Sequence, residues 1–168
     1  MERVAEGFVR VKHDSMERTS SKITLVAPSA GMFDKWFTLY ARYATDLGTP
    51  VDRRTAETVW RWLLDGTHRV AGVFAFGDRN ELAGLAHYRP FPRTLNGNEA
   101  CFLDDLYVAE SYRRRGVARQ LVERVNAIAR QRGWTEIRWV TQPENEAARA
   151  LYEAIAERSD LITYRMRA

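Results

Sequence analysis

Apolar residues along this chain recur with two periods, and the points where one period gives way to the other divide it into elements. Ile23 to Val26 alternates briefly as a strand would. After Pro28-Ser29, the residues Phe33, Trp36, Phe37, Tyr40, Tyr43 and Leu47 recur at three and four until Gly48, which predicts a helix. Thr49-Pro50 breaks it, and Ala56, Val59, Trp60 and Leu63 give a second helix ending at Gly66. Val70 to Phe76 and Leu82 to Tyr88 are β-prone runs on either side of Gly77-Asp78-Arg79-Asn80, a hairpin signature. Pro90-Phe91-Pro92 and Asn96-Gly97-Asn98 predict a loop before a strand from Ala100 to Val108. From Gly116, the residues Val117, Leu121, Val125 and Ile128 line one helical face with polar residues opposite, and Gly133 supplies a left-handed stop. A strand from Glu136 to Thr141 follows, then a helix opened by Pro143-Glu144-Asn145 that carries Ala148, Leu151, Tyr152 and Ile155. A final strand is expected from Leu161 to Met166.

The order β-α-α-β-β-β-α-β-α-β predicts an α/β (α+β) fold, a central mixed sheet flanked by helices. The strand, helix, strand unit around Gly116 requires a right-handed crossover between neighbouring parallel strands. Residues 1–22 are charged and aperiodic, the pattern of a flexible tail, with Met16 as an alternative start; residues 23–168 form one domain. The length of 168 residues agrees with one core.

Composition narrows the function classes. Hydrophobic residues at 45% and charged residues at 29% are those of a globular chain. Lys plus Arg exceeds Asp plus Glu by 26 − 22 = +4, a mild balance that suits anionic ligands without demanding nucleic acid. No apolar run spans a bilayer, so no membrane partner is expected. Cys101 is the single cysteine, which rules out an internal disulfide and a Cys-rich zinc site and predicts a cytoplasmic protein; the three histidines have no metal-site spacing.

The chemistry concentrates in the second half. Arg113-Arg114-Arg115-Gly116-Val117-Ala118 joins a strand end to a helix start, where free N–H groups and the helix dipole favour an anion; the plainer reading is a solvated loop with a turn glycine. It is neither a P-loop nor a dinucleotide fingerprint. Asp104 sits among apolar neighbours, sharing by simple alternation a face with Phe102, Leu106 and Val108, and Asp105 falls on the opposite face.

The blocks Phe102-Leu103-Asp104-Asp105-Leu106-Tyr107-Val108, Arg113-x-x-Gly116-x-Ala118 and Asn145-x-x-Ala148-x-x-Leu151-Tyr152 resemble, in order and spacing, the GNAT family of acyl-CoA-dependent N-acetyltransferases. The acidic pair, Trp139-Val140-Thr141-Gln142 and the C-terminal residues are most similar to its histone and polyamine (spermidine/spermine-type) branch. The resemblance implies a GNAT fold with a β-α-β core that binds acetyl-CoA as cosubstrate, without a metal. It implies that the backbone of Leu106, Tyr107 and Val108 holds the pantetheine arm, that N–H groups within Arg113, Arg114, Arg115, Gly116, Val117 and Ala118 hold the pyrophosphate, and that Asn145 contacts the pantetheine. It makes Tyr152 the acid for the departing thiolate, against a reading as one more core aromatic. It makes Asp104 the base for the amine, directly or through water, against a reading as a loop cap or the partner of an arginine; Asp105, read from its place on the opposite face, could orient the amine or a neighbouring strand. The family's usual glutamate is here an aspartate, one methylene shorter.

The implied function is acetyl transfer to a primary amine of a small molecule, polyamine or amino-acid-like, by direct attack. Protein or peptide lysine acetylation and non-catalytic acyl-CoA binding are the alternatives. A homodimer is expected from the family habit and the aromatic first helix. Cys101 has no histidine near it in sequence and reads as a small hydrophobe, and His87 is a minor candidate at a strand end.

Overall fold

The computed structural model describes residues 22–167; the expected tail lies outside these residues except for Lys22. The elements are β1 (Thr24–Val26), α1 (Phe33–Asp46), α2 (Arg53–Leu64), β2 (Ala71–Phe76), β3 (Leu82–Arg93), β4 (Asn98–Val108), α3 (Val117–Gln131), β5 (Ile137–Arg138) and α4 (Glu146–Glu153). They form one mixed sheet in the order β1-β2-β3-β4-β5, antiparallel except for the β4–β5 pair that α3 bridges.

The two faces of the sheet carry separate cores. On one, Val117, Leu121 and Val125 of α3 pack on Val73, Ala86, Cys101 and Leu103. On the other, Trp36 and Leu39 of α1 and Ala56, Trp60 and Leu63 of α2 cover Phe74, Leu85 and Tyr107. Side-chain alternation along β2 supplies both, Val73 facing one way and Phe74 the other.

Three expectations are corrected. Pro90-Phe91-Pro92 is strand, not loop: β3 continues to Arg93, paired with β4 as far as Asn98. Past Tyr88 its other edge is free of β2, so prolines at alternate positions lose no ladder hydrogen bond there. The strand expected from Glu136 to Thr141 shortens to Ile137–Arg138, because Trp139 leaves the sheet to meet Tyr152 edge-on, ring centroids 5.3 Å apart. Leu161 to Met166 forms no strand among the described residues. Leu161 and Met166 are 74% and 94% exposed, and β5, paired over two residues, offers no edge long enough to hold them.

Candidate functional site

The site is built around an irregularity in β4. His87 pairs with Asp105 and Tyr88 with Leu103, so Asp104 is an extra residue with no partner across the ladder. This bulge resets the alternation. Leu103, Leu106 and Val108 all belong to the α3 face, while Tyr107 belongs to the α1 face. Asp105 reaches His87 on that same α1 face, and Asp104 pairs with Arg89, which lies over the Phe102 ring. The expectation that Asp104 shares a face with Leu106 and Val108 is therefore corrected, while Asp105 lies opposite those two residues as alternation expects. The bulge turns both carboxylates to one side.

Asp104 accepts from Arg89 Nε at 3.1 Å and its side chain is 30% exposed. Burial lifts its carboxyl above the ordinary value and the arginine pulls it down, with burial prevailing. Asp105 Oδ2 stands 2.9 Å from His87 Nδ1, and the other ring nitrogen of His87 accepts the indole N–H of Trp36 at 3.0 Å. Beyond Asp105 opens a cleft of about 410 Å³ walled by Tyr40, Tyr43, Leu47, Val51 and Asp52. Burial and the Asp105 charge raise the phenols of Tyr40 and Tyr43, which keeps both as neutral hydrogen-bond donors. Asp52 caps α2 by accepting from Thr55 N–H at 2.7 Å, and that bond holds its carboxyl below the ordinary value. A larger groove of about 910 Å³ along the outer side of α1, between Lys35, Arg42 and Glu110, shares no residue with this arrangement.

The opposite flank of β4 is made of backbone. Pairing with β5 covers only Cys101 and Phe102, so the edge from Leu103 to Val108 is open among the described residues. Ala109 N–H bonds to Ala83 C=O, and from there antiparallel alternation gives Leu85 and Tyr107 the next bonded pair. Leu106 and Val108 thus carry their backbone groups outward, with Val108 C=O accepting from Arg113 Nε at 3.2 Å. The same register corrects the expectation for Tyr107. Its backbone faces β3, its carbonyl crowding Gly84, and its hydroxyl donates to Asp46 Oδ2 at 2.5 Å.

At the end of β4 a short 3-10 turn, Glu110–Tyr112, leads into the arginine loop. Arg113 folds back rather than outward: its N–H bonds to Glu110 C=O, and its guanidinium lies over the Tyr107 ring, donating to the Tyr107 hydroxyl at 3.2 Å and standing 3.6 Å from Asp46. Its Nε and one terminal nitrogen thus serve β4 and α1. Arg114 and Gly116 both adopt positive φ, 61° and 78°, and Gly116 is the N-cap of α3. The N–H groups of Val117 and Ala118 begin that helix, where no intrahelical acceptor exists for them. Arg115 lies over the Tyr112 ring.

Asn145 is the N-cap of α4, its Oδ1 accepting Ala148 N–H at 3.2 Å, so its carbonyl oxygen serves the helix and its amide nitrogen remains for other work. Tyr152 follows on that helix, half-buried against Trp139. Its phenol is raised by burial, and among the described residues no hydrogen bond engages its hydroxyl. Cys101 is fully buried with its thiol pushed up to about 12 by that burial, the opposite of an activated nucleophile. Sequence reasoning makes His87 a minor candidate and names no role for Trp36, Tyr40 or Tyr43, although the resemblance implies that the first two helices and the Leu47 to Val51 connection wall the acceptor site. The aromatic stripe of α1 was visible, but only the fold brings it against the acidic pair.

The chain matches the acetyltransferase (GNAT) family over residues 33–156. It is 30% identical over 133 residues to the D-amino-acid N-acetyltransferase HPA3 of Saccharomyces cerevisiae, covering 79% of this chain and 83% of that one. In fold it is similar to the ribosomal-protein-alanine N-acetyltransferase of Brucella melitensis biovar Abortus 2308, with a TM-score of 0.74 at 24% identity over 88% of this chain and 99% of that one. It is also similar to the aminoglycoside N-acetyltransferase AAC(6')-Iy crystallised with CoA, with a TM-score of 0.74 at 22% identity over 88% and 97%. With a mixed sheet whose parallel strands part beside an αL-capped helix, this chain belongs to the GNAT family and is an N-acetyltransferase, an enzyme of acetyl transfer to amines.

Proposed function

We propose that the chain transfers the acetyl group of acetyl-CoA to a primary amine of a small molecule by direct attack, without a metal. The observation that carries this is the meeting of two unlike surfaces at the β4 bulge: a free backbone edge with an αL-capped helix start on one flank, and an acidic, aromatic cleft on the other. The backbone of Leu106 and Val108 suits the amide-bearing pantetheine arm as an added strand, and the N–H groups of Gly116, Val117 and Ala118 suit the pyrophosphate.

In the reaction the amine nitrogen bonds to the thioester carbonyl carbon as the C–S bond breaks. The departing thiolate takes a proton from the Tyr152 hydroxyl, and the proton shed by the nitrogen goes to Asp104 directly or through one water. The raised phenol of Tyr152 keeps its proton until a thiolate asks for it.

The cleft lining includes Asp52 and Asp105 and neither lysine nor arginine, which favours a cationic amine of the polyamine kind, in keeping with the polyamine-branch resemblance of the C-terminal half. An amino-acid acceptor is the second reading, favoured by the yeast relative named for D-amino acids. The bounded volume of the cleft suits either better than a protein lysine on its backbone. Thiol release from acetyl-CoA with spermidine, a D-amino acid, an aminoglycoside and a lysine peptide tests this. Turnover confined to the peptide, or release with none of them, overturns it.

A further inference from the structure

We propose that Asp105 receives the cationic amine of the acceptor and that His87, clamped by Trp36, is the positioning residue that aims it. The inference rests on the functional reading above and deepens it. His87 is 1% exposed, the one buried polar or charged side chain among the described residues, and it lies among the rings of Trp36, Tyr40 and Phe74. An imidazole so placed is tolerated only when both nitrogens are satisfied. The indole N–H of Trp36 can only donate, so the Nε2 it reaches at 3.0 Å carries a lone pair, and the single ring proton must sit on Nδ1. That proton points at Asp105 Oδ2, 2.9 Å away. The ring is neutral and cannot turn over without losing both bonds. It therefore holds one carboxylate oxygen at the mouth of the cleft, where the Tyr43 hydroxyl also donates to the carboxylate.

Satisfying a buried histidine requires no carboxylate at the mouth of a cleft; a backbone carbonyl would do. Here the acceptor of the Nδ1 proton is a carboxylate, its side chain is 25% exposed, and the bulge sets a second carboxylate, Asp104, directly beside it. The groups around it agree with a cation. His87 from β3 is neutral, Tyr40 and Tyr43 from α1 offer neutral hydroxyls, and Asp104 from β4 and Asp52 at the start of α2 are acids. Arg89 is occupied by Asp104. An ammonium docked on the Asp105 carboxylate, whose oxygens keep lone pairs beyond those that His87 and Tyr43 use, is held by charge and direction together. It then sits beside Asp104, within reach of the proton transfer that frees the nucleophile.

The test is steady-state thiol release by the full chain at saturating acetyl-CoA, varying whichever amine of spermidine, a D-amino acid and an aminoglycoside the wild type turns over. Asp105→Asn and His87→Leu should each lower kcat/KM for the amine by roughly 10- to 100-fold, the scale of a lost hydrogen bond to a charged group, mainly through KM. His87→Asn, whose amide N–H stands near the old Nδ1 position, should recover most of the loss. The double variant His87→Leu/Asp105→Asn should be no worse than Asp105→Asn alone, and the thermal shift with acetyl-CoA should be unchanged in all of them. Wild-type amine KM in Asp105→Asn, additive losses in the double variant, or a loss of the acetyl-CoA shift as large as the loss of amine turnover would each overturn the proposal. If His87→Leu does not fold, Trp36→Phe replaces it: without the indole donor the ring proton can occupy either nitrogen, and a KM increase of several-fold is expected. An unchanged KM there also overturns the proposal. A wild type that shows the acetyl-CoA shift but acetylates no amine fails the functional reading itself and takes this inference with it.

Discussion

The two flanks of β4 are made of different materials. Toward β5 the site is backbone: an unpaired strand edge, a left-handed glycine and the first turn of α3, all within residues 103–118. Toward α1 it is side chains gathered from afar, with Trp36 51 positions from His87 and Asp46 61 positions from Tyr107. A cosubstrate with a constant amide and phosphate skeleton can be held by groups every residue possesses, whereas a particular amine needs particular side chains. The first flank therefore writes a compact motif and the second writes none.

The contrast is sharpest at Tyr152, which by this reading belongs to the chemistry rather than to the binding of either partner. Tyr152→Phe keeps the ring against Trp139 and removes only the hydroxyl. Expected is a fall in kcat by up to roughly 10²- to 10⁴-fold, the range for a positioned acid, with the acetyl-CoA thermal shift retained. Retained kcat with lowered melting temperature would make Tyr152 a packing residue and leave the thiolate to water.

Next comes the backbone flank alone. A Cβ at Gly116 meets nothing within 4 Å, so substitution acts through the backbone, whose φ of 78° a β-branched residue resists. Gly116→Val should cost about 1–2 kcal/mol of stability. It should also abolish most of the stabilisation by acetyl-CoA, about 2.7 kcal/mol when the ligand is at 100 times its Kd. Differential scanning fluorimetry reads both. A full shift in the folded variant would place the phosphates elsewhere.

These differences also explain what the sequence made legible. The helices declared themselves because their apolar faces are long: Phe33 to Tyr43 fills three turns, and Val117 to Ile128 as many. The open edge beside Arg113 to Ala118 was legible because strand end, glycine and helix start are adjacent. The orientation of Asp104 was not. Period-two reasoning holds until a residue is inserted, and the bulge opposite His87 and Tyr88 is set by packing on both faces, not by a local signature. Trp36 and His87 looked like core positions, and they are; their role comes from the bonds they make inside it. Pro90 and Pro92 misled because a proline signals a loop unless its missing donor faces a free edge.

The acid pair can be sharpened by pH. Asp104 is held above the ordinary carboxylate value by burial and eased downward by Arg89. If its ionised form is the base, activity is present above its folded value and lost as pH falls through it, so the acidic limb of kcat/KM should lie above the ordinary aspartate value. Arg89→Gln removes the group that eases it down and should move that limb to higher pH, while Asp104→Asn should remove it. Acceptors of different basicity separate the enzyme from the substrate: a limb that follows the acceptor and survives in Asp104→Asn belongs to the amine. In that case Asp104 serves only to pair with Arg89.

The smallest effect distinguishes two duties of one residue at the meeting of the flanks. Asn145 spends its Oδ1 on Ala148 N–H to start α4, the helix that presents Tyr152, and its amide nitrogen is the part left for the pantetheine arm. Asn145→Ala removes both functions and should cost about 1 kcal/mol of stability through the lost cap. Asn145→Asp keeps an equally good cap and adds charge of the favourable sign at the helix start, while deleting the donor. Melting temperature should therefore hold in Asn145→Asp while affinity for acetyl-CoA, measured by calorimetry, falls by a few-fold, the value of one neutral hydrogen bond at about 1 kcal/mol. Equal affinity in Asn145→Asp and wild type would reduce Asn145 to a cap. Pantetheine would then be held on this side by the backbone of Leu106 and Val108 alone, which would widen the difference between the flanks.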